Sequence, residues 1–457
     1  MTRLQLFVQR ALALLLVALA GAACGGRGSA VPNVLLISID TLRPDHLSGY
    51  GYGRETSPAI DALAREGVLF RDASSTSPWT LPAHVSMLTG RYPSRHGVVD
   101  RNKALSADVP TLATRLGAAG YDSMAIVNAY YVSRRYGLDQ GFAHFAVLSE
   151  WSNDRGPKRT IVNRGEEITD GAMDWLRGRG ERPFFLFLHY YDVHTDLTPK
   201  PEYRAKFVRP YEGRIDGSTR QLIGLRSAGV QLPPADLRHL KDLYDAEIRQ
   251  LDDQIARLMA FLDHKDLADD TLVVLTSDHG EEFLEHGSLL HSRTHYQELI
   301  AIPLILRGPG VPRGRIVEEP VSLVDLVPTI LSLTGLQPHA GMDGLDLSAL
   351  WSGGALEARA LYSEADDTNE VPDMKRMIRL DRHKLCYDRV SQESELYDLA
   401  EDAGEKNDLS AEDPERARRL LERLRVHMAT EKSAEALPEL TPQEVELLHQ
   451  LGYGADR

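Results

Sequence analysis

Cysteine is almost absent from the 457 residues: Cys24 and Cys386 are the only two. Cys24 falls in what reads as a leader, which leaves Cys386 without an intrachain partner. Disulfides are therefore not expected to hold the fold, even in an oxidising compartment. Positive charge is short as well. The chain has 52 Lys and Arg against 67 Asp and Glu, a formal net charge of -15, which excludes the basic footprint of a nucleic-acid-binding protein. The run Ala11–Ala23 is built wholly of Ala, Leu, Val and Gly, but it falls short of the roughly 20 residues that span a bilayer. No internal repeat is present, and the only low-complexity linker is Gly25–Ser29.

What is present describes a large folded chain. Charged residues make up 26% and hydrophobic ones 42%, ordinary for a soluble protein with a substantial core. The acid excess is read either as solvated surface or as carboxylates reserved for cations. Arg3 and Arg10 precede the short apolar run, the pattern of a secretion signal over residues 1–24. Gly21-Ala-Ala-Cys24 is similar to a lipoprotein box, with Gly where Leu is usual. The expectation is an exported protein, periplasmic or on the cell surface, whose one membrane link is a lipid on Cys24; plain cleavage near Ala23 is the alternative.

Val34–Ile39, Phe184–Leu188 and Leu272–Thr276 are apolar runs that read as strands buried on both faces. Each runs into polar residues: Asp40, Tyr190-Tyr-Asp-Val-His194, and Ser277-Asp-His-Gly-Glu281. Ile60–Gly67, Pro110–Ala119 and Leu243–Leu262 carry helical periodicity. Strands alternating with helices predict a mainly parallel α/β sheet, with its site beyond the carboxyl ends of the strands. Pro199–Pro234 has no sustained period and reads as a long surface excursion bordering a cleft. After about Leu361, strand candidates Met374–Leu380 and Lys384–Asp388 precede a helix over Pro414–Glu431, a small α+β subdomain. The expected division is 30–355 for a catalytic domain, 356–435 for that subdomain and 436–457 for a tail.

Asp40 by itself is either a cation ligand or a cap for the following turn. Asp278 and His279 at a second strand end offer the remainder of a metal shell. A His in that shell favours zinc or manganese, with calcium and magnesium also admitted. Thr80 opens a helix with Pro82 in its first turn, so its hydroxyl is either an N-cap or, against a cation, a nucleophile. Near Asp278 stand Glu281, His286, His291 and His295, read singly as surface or supporting groups. Asp192, His194 and His291 are a candidate second metal site.

Pro32-Asn-Val-Leu-Leu-Ile-Ser-Ile-Asp-Thr-Leu-Arg-Pro-Asp-His46, Thr80-Leu-Pro-Ala-His-Val-Ser-Met-Leu-Thr-Gly-Arg91, Ser277–Glu281 and Ile302-Pro-Leu-Ile-Leu-Arg-Gly-Pro-Gly310 resemble, in order, the blocks of sulfatases. Val321–Ile330 and Glu395-Leu-Tyr-Asp-Leu399 extend the likeness to about Leu409. The resemblance implies an alkaline-phosphatase-like α/β fold, with a mostly parallel mixed sheet between helices. It also implies a divalent metal on Asp40, Asp278 and His279, a catalytic Thr80 that also touches the metal, and His194 on the substrate's anionic oxygens. The departures are informative. Thr80 stands where sulfatases carry the Cys or Ser that becomes formylglycine, and His84 stands at a family arginine within the catalytic set. Thr41 replaces a second Asp, and Asn128 a lysine. A threonine cannot give the aldehyde, so phosphate-ester hydrolysis or transfer is expected on an anionic ester, a lipid head group or a glycan. The alternatives are sulfate-ester cleavage without formylglycine, and a silent protein that binds on the same fold.

Overall fold

The computed structural model describes residues 31–148, 164–338, 341–366, 375–430, 432, 434–438 and 441. The leader with Cys24, the linker Gly25–Ser29 and most of the tail lie outside them. Among the described residues no helix is long and apolar enough to cross a membrane.

The frame is a nine-stranded sheet. Its centre is β1 (Asn33–Ile39), with β2 (Val68–Ser74) toward one edge, the parallel strands β3 (Asp122–Val127), β4 (His144–Val147) and β5 (Phe184–Tyr190) on the other side, and the parallel β6 (Thr271–Ser277) next to β1 on the β2 side. β1 pairs parallel with both β5 and β6, and β3 lies between β5 and β4. After a short hairpin, β7 (Glu282–Phe283) with β8 (Leu289–Leu290), strand β9 (Ala301–Arg307) runs antiparallel between β6 and β2. Two short strands, β10 (Arg315–Val317) and β11 (Val321–Ser322), close the far edge on β2.

All seven residues of β1, β5 and β6 are buried, because helices cover both faces. Val34 and Leu36 face one apolar cluster, Leu35, Ile37 and Ile39 the other, as a two-residue period requires. Each such side chain removed from water contributes about 1.5–3 kcal/mol. α1 (Pro58–Arg65), α2 (Thr80–Thr89), α3 (Leu112–Ala118), α4 (Gly165–Gly178), α5 (Pro201–Phe207), α6 (Thr219–Ser227) and α7 (Pro234–His264) supply most of the cover. α8 (Leu326–Leu333) completes one layer.

Two expectations need correction. Pro199–Pro234 is not a structureless excursion, since it carries α5 and α6, each too short to show a period but anchored by Phe207 and Leu222. The long helix begins at Pro234 rather than Leu243, with Pro in its first turn.

The C-terminal part is a four-stranded antiparallel sheet, β12 (Ala360–Glu364), β13 (Lys375–Leu380), β14 (His383–Asp388) and β15 (Ser394–Asp398). α9 (Pro414–Met428) lies on it, capped by Asp413, whose side chain accepts from Arg416 N. Cys386, a free thiol on β14, is buried, and burial pushes its pKa up to about 12.

Candidate active site

β1 and β6 end level, with Ile39 opposite Ser277, so the residues that follow leave adjacent strand tips together. The chain turns at once. Thr41 has φ of 55°, and its N–H donates to Asp278 Oδ1 at 3.3 Å. The result is a compact group in which ligand atoms of Asp40, Asp278 and His279 all lie within 4.8 Å of one another. All three side chains are fully buried. Both Asp40 oxygens and Asp278 Oδ2 have no hydrogen-bond partner. Burial pushes both carboxyls upward in pKa, while Asp278 and Asp40 pull His279 upward against its own burial. Buried carboxylate oxygens left unpaired are costly, and a cation resolves that cost. His279 fits the same purpose: its Nδ1–H donates to the Gly280 carbonyl at 2.9 Å. The Nε2 lone pair therefore faces Asp278 Oδ2 at 3.3 Å and Asp40 Oδ1 at 3.7 Å. These donors fit a divalent ion.

Thr80 is the first residue of α2, and the N-cap is Trp79 in extended conformation. The hydroxyl is thus not spent on a cap; Oγ1 lies 3.3 Å from His279 Nε2. One turn on, His84 donates from Nδ1 to the Thr80 carbonyl at 2.8 Å, and its Nε2 meets Ser38 Oγ at 3.0 Å. Burial pushes its pKa down to about 3, although Asp278 pulls upward. With both nitrogens engaged, His84 lies beneath the cluster and orients α2.

His189 escaped the sequence reading, which closed its strand at Leu188. The side chain is fully buried on β5, with Nε2 3.3 Å from Asp40 Oδ2 and its ring 4.7 Å from that of His84. The available signal was an imidazole in a strand that is otherwise apolar on both faces.

His194 follows β5. Its ring stacks on Tyr191 at 4.3 Å, and Nδ1–H donates to the Thr195 carbonyl at 2.8 Å. His291 lies between two other imidazoles, 4.9 Å from His194 and 4.6 Å from His279 between centroids. Its Nδ1 is 3.1 Å from Glu281 Oε1. Burial pushes the Glu281 carboxyl up to about 8, which favours the form that donates a proton to that nitrogen. The hairpin that delivers His291 is strained: Leu284, Leu290 and Ser292 have φ of 64°, 69° and 84°. Ser292 N–H ties it to the Pro78 carbonyl at 3.1 Å, beside Thr80.

The second metal site does not form among the described residues. Asp192 turns away to accept from Gly165 N at 2.8 Å at the start of α4, and the group around Asp40 is the one with three ligands. His286 and His295 are occupied elsewhere, by Glu298 at 2.5 Å and Ser363 at 3.0 Å. Asn128 is buried at the end of β3.

Strand-tip donors beside a helix start make an α/β site whose residues fit a divalent ion. A family model described as "Sulfatase" matches residues 32–336, more than half of the chain. A second, described as "N-sulphoglucosamine sulphohydrolase, C-terminal", matches 285–433. The chain belongs to the sulfatase family, a family of ester hydrolases. Among similar proteins, the multifunctional alkaline phosphatase superfamily protein PehA of Trinickia caryophylli is 27% identical over 391 residues, 69% of this chain and 76% of that one. The N-acetylgalactosamine-6-sulfatase of Canis lupus familiaris is 28% identical over 411 residues, 78% and 72%. A solved structure in complex with its substrate D-glucosamine-2-N,6-O-disulfate superposes with a TM-score of 0.73 at 22% identity, covering 88% of this chain and 98% of that one. The phosphonate monoester hydrolase of Agrobacterium radiobacter gives 0.70 at 23%, covering 87% and 96%. Both share the fold.

Proposed function

We propose that the chain is an exported, metal-dependent hydrolase or transferase of phosphate esters at the cell envelope, with Thr80 as its nucleophile. The observation that carries the reading is the Thr80 hydroxyl, 3.3 Å from His279 Nε2, at a helix start against two carboxylates with unpaired oxygens.

Asp40, Asp278 and His279 would hold the cation, with Thr80 against it. Bound there, a divalent ion lowers the pKa of the Thr80 hydroxyl and withdraws electrons from the transferred group. The N-terminus of α2 favours the anionic group that Thr80 attacks. The Thr80 proton passes to solvent, and as the Thr80 oxygen–phosphorus bond forms, the bond to the leaving oxygen breaks. His291 would hand that oxygen its Nε2 proton while drawing on Glu281 through Nδ1. His194, whose Nδ1–H is donated to the Thr195 carbonyl and whose Nε2 lies 3.4 Å from the Tyr191 hydroxyl, is kept neutral by burial and would act as the base toward the incoming water or alcohol. That acceptor adds to phosphorus as its proton passes to His194, the Thr80 oxygen–phosphorus bond breaks, Thr80 takes that proton back from His194, and solvent reprotonates Glu281.

Threonine in place of the aldehyde precursor favours phosphate. Relatives named as sulfatases favour a second reading, sulfate-ester cleavage by the same hydroxyl. Intact-mass analysis during turnover of an aryl phosphate diester and of an aryl sulfate, with and without chelator, tests both. A phosphoryl adduct on Thr80 is expected; activity that persists in Thr80→Ala with no adduct rejects the mechanism, and exclusive sulfate release rejects the phosphate assignment.

A further inference from the structure

His189 has no part in the chemical steps, and a fully buried imidazole on a core strand needs a reason. By the two-residue period of β5 it lies on the face of Phe185 and Phe187, both members of the apolar cluster on that side of the sheet. A polar group buried in such a place costs free energy unless it is paired. Among the described residues, both ring nitrogens of His189 and both oxygens of Asp40 are buried without a hydrogen-bond partner. Yet His189 Nε2 stands 3.3 Å from Asp40 Oδ2. The sheet fixes that approach. Ser38 is opposite His189 in the register of β1 on β5, and the Asp40 N–H donates to the Tyr190 carbonyl at 2.9 Å. The other oxygen, Oδ1, is the one turned toward His279, 3.7 Å from its Nε2. The Asp40 carboxylate thus offers one oxygen to the ligand group and the other to an imidazole on the neighbouring strand.

We propose that His189 is a positioning residue for the metal: its Nε2–H donates to Asp40 Oδ2 and so holds the carboxylate with Oδ1 toward the cation. The assignment rests on the part of the reading above that puts a divalent ion on Asp40, Asp278 and His279, and it is independent of the nucleophile and of the ester. A neutral imidazole keeps one N–H, and beside a carboxylate that hydrogen sits on the facing nitrogen. A donor on the free oxygen of a ligating carboxylate settles which of the two oxygens meets the cation and spares the second an unpaired burial. The competing reading is that His189 merely fills space against the ring of His84, 4.7 Å away, so that shape alone matters.

The test titrates zinc by calorimetry, against a competing chelator, into the metal-free full chain as wild type, His189→Gln, His189→Leu and His189→Asn. His189→Gln keeps an amide N–H about where Nε2 stands. His189→Leu fills the volume without a donor, and in His189→Asn the donor is too short to reach; either serves where the other fails to fold. His189→Gln is expected to match wild type within about threefold, while His189→Leu and His189→Asn bind zinc about 10 to 100 times more weakly. Cobalt in place of zinc gives a second readout. Its absorption bands are expected to be unchanged in His189→Gln and shifted in the other two, because the carboxylate that meets the ion has turned. Equal affinity in wild type and every variant overturns the proposal. Equal losses in every variant overturn it as well, since the imidazole is then required for its shape or as a ligand. A wild type that takes up no zinc overturns the metal reading and this proposal with it, whereas a wild type that binds zinc beside either of those patterns overturns this proposal alone.

Discussion

At residue scale the hydroxyl of Thr80 and its neighbours divide the work by position. Thr80→Ala is expected to lower kcat by about 10³-fold or more with little change in KM, since it removes a bond made only on the reaction path; single-turnover kinetics check it. His84→Ala acts through Thr80 and Ser38 and opens a cavity under the cluster. A loss of about 2–4 kcal/mol in chemical denaturation is expected, because buried partners lose their hydrogen bonds. Glu285 gives a pH signature. Burial alone would raise its carboxyl, but Arg43 and Lys241 hold it at about 2, below its ordinary 4.5. A group depressed on folding stabilises fully above its unfolded value and loses that contribution as pH falls through the folded one. Glu285→Gln is therefore expected to flatten the decline of stability between pH 4.5 and about 2; an unchanged slope in acid denaturation refutes the pairing.

At the scale of elements, close approach decides what the chain tolerates. A Cβ on Gly280 would lie 2.1 Å from the Glu298 carbonyl, so Gly280→Ala is expected to push the His279 loop off the cluster and weaken zinc or manganese binding; calorimetric titration of the apoprotein reads the loss. Gly90, with φ of 69°, ends α2, and a Cβ added to it would lie 3.1 Å from Val327 Cβ. Parts of this level were legible beforehand. The runs Val34–Ile39, Phe184–Leu188 and Leu272–Thr276 are strands because continuous burial leaves a continuous apolar signature. α5 and α6 were not legible, since helices of seven and nine residues hold by docking on neighbours. The same limit hid His189: nothing in one strand says that its last turn lies beside an aspartate of the next.

At the scale of the whole molecule, the sheet and the C-terminal subdomain are clamped across a buried seam. Arg379 grips Asp72 through both nitrogens, the longer contact being 2.6 Å, and Ser94 meets Glu364 at 3.0 Å. Metal is expected to couple to this global stability. Chelation leaves Asp40 and Asp278 buried without a counter-ion, so scanning calorimetry is expected to show Tm several degrees lower with chelator and restored by zinc or manganese. At a hundred times Kd, bound ligand contributes about 2.7 kcal/mol. An identical Tm in both conditions argues against a resident ion. The sequence by itself determined the alternation of strands and helices, the family, and the residue types at three strand ends, because covalent order and apolar period are local properties. Only the tertiary structure decided that Asp40, Asp278, His279 and Thr80 converge, that Asp192 turns away to α4, and that His189 comes near. Those are distances across the sheet, and they depend on register and packing that no single segment contains.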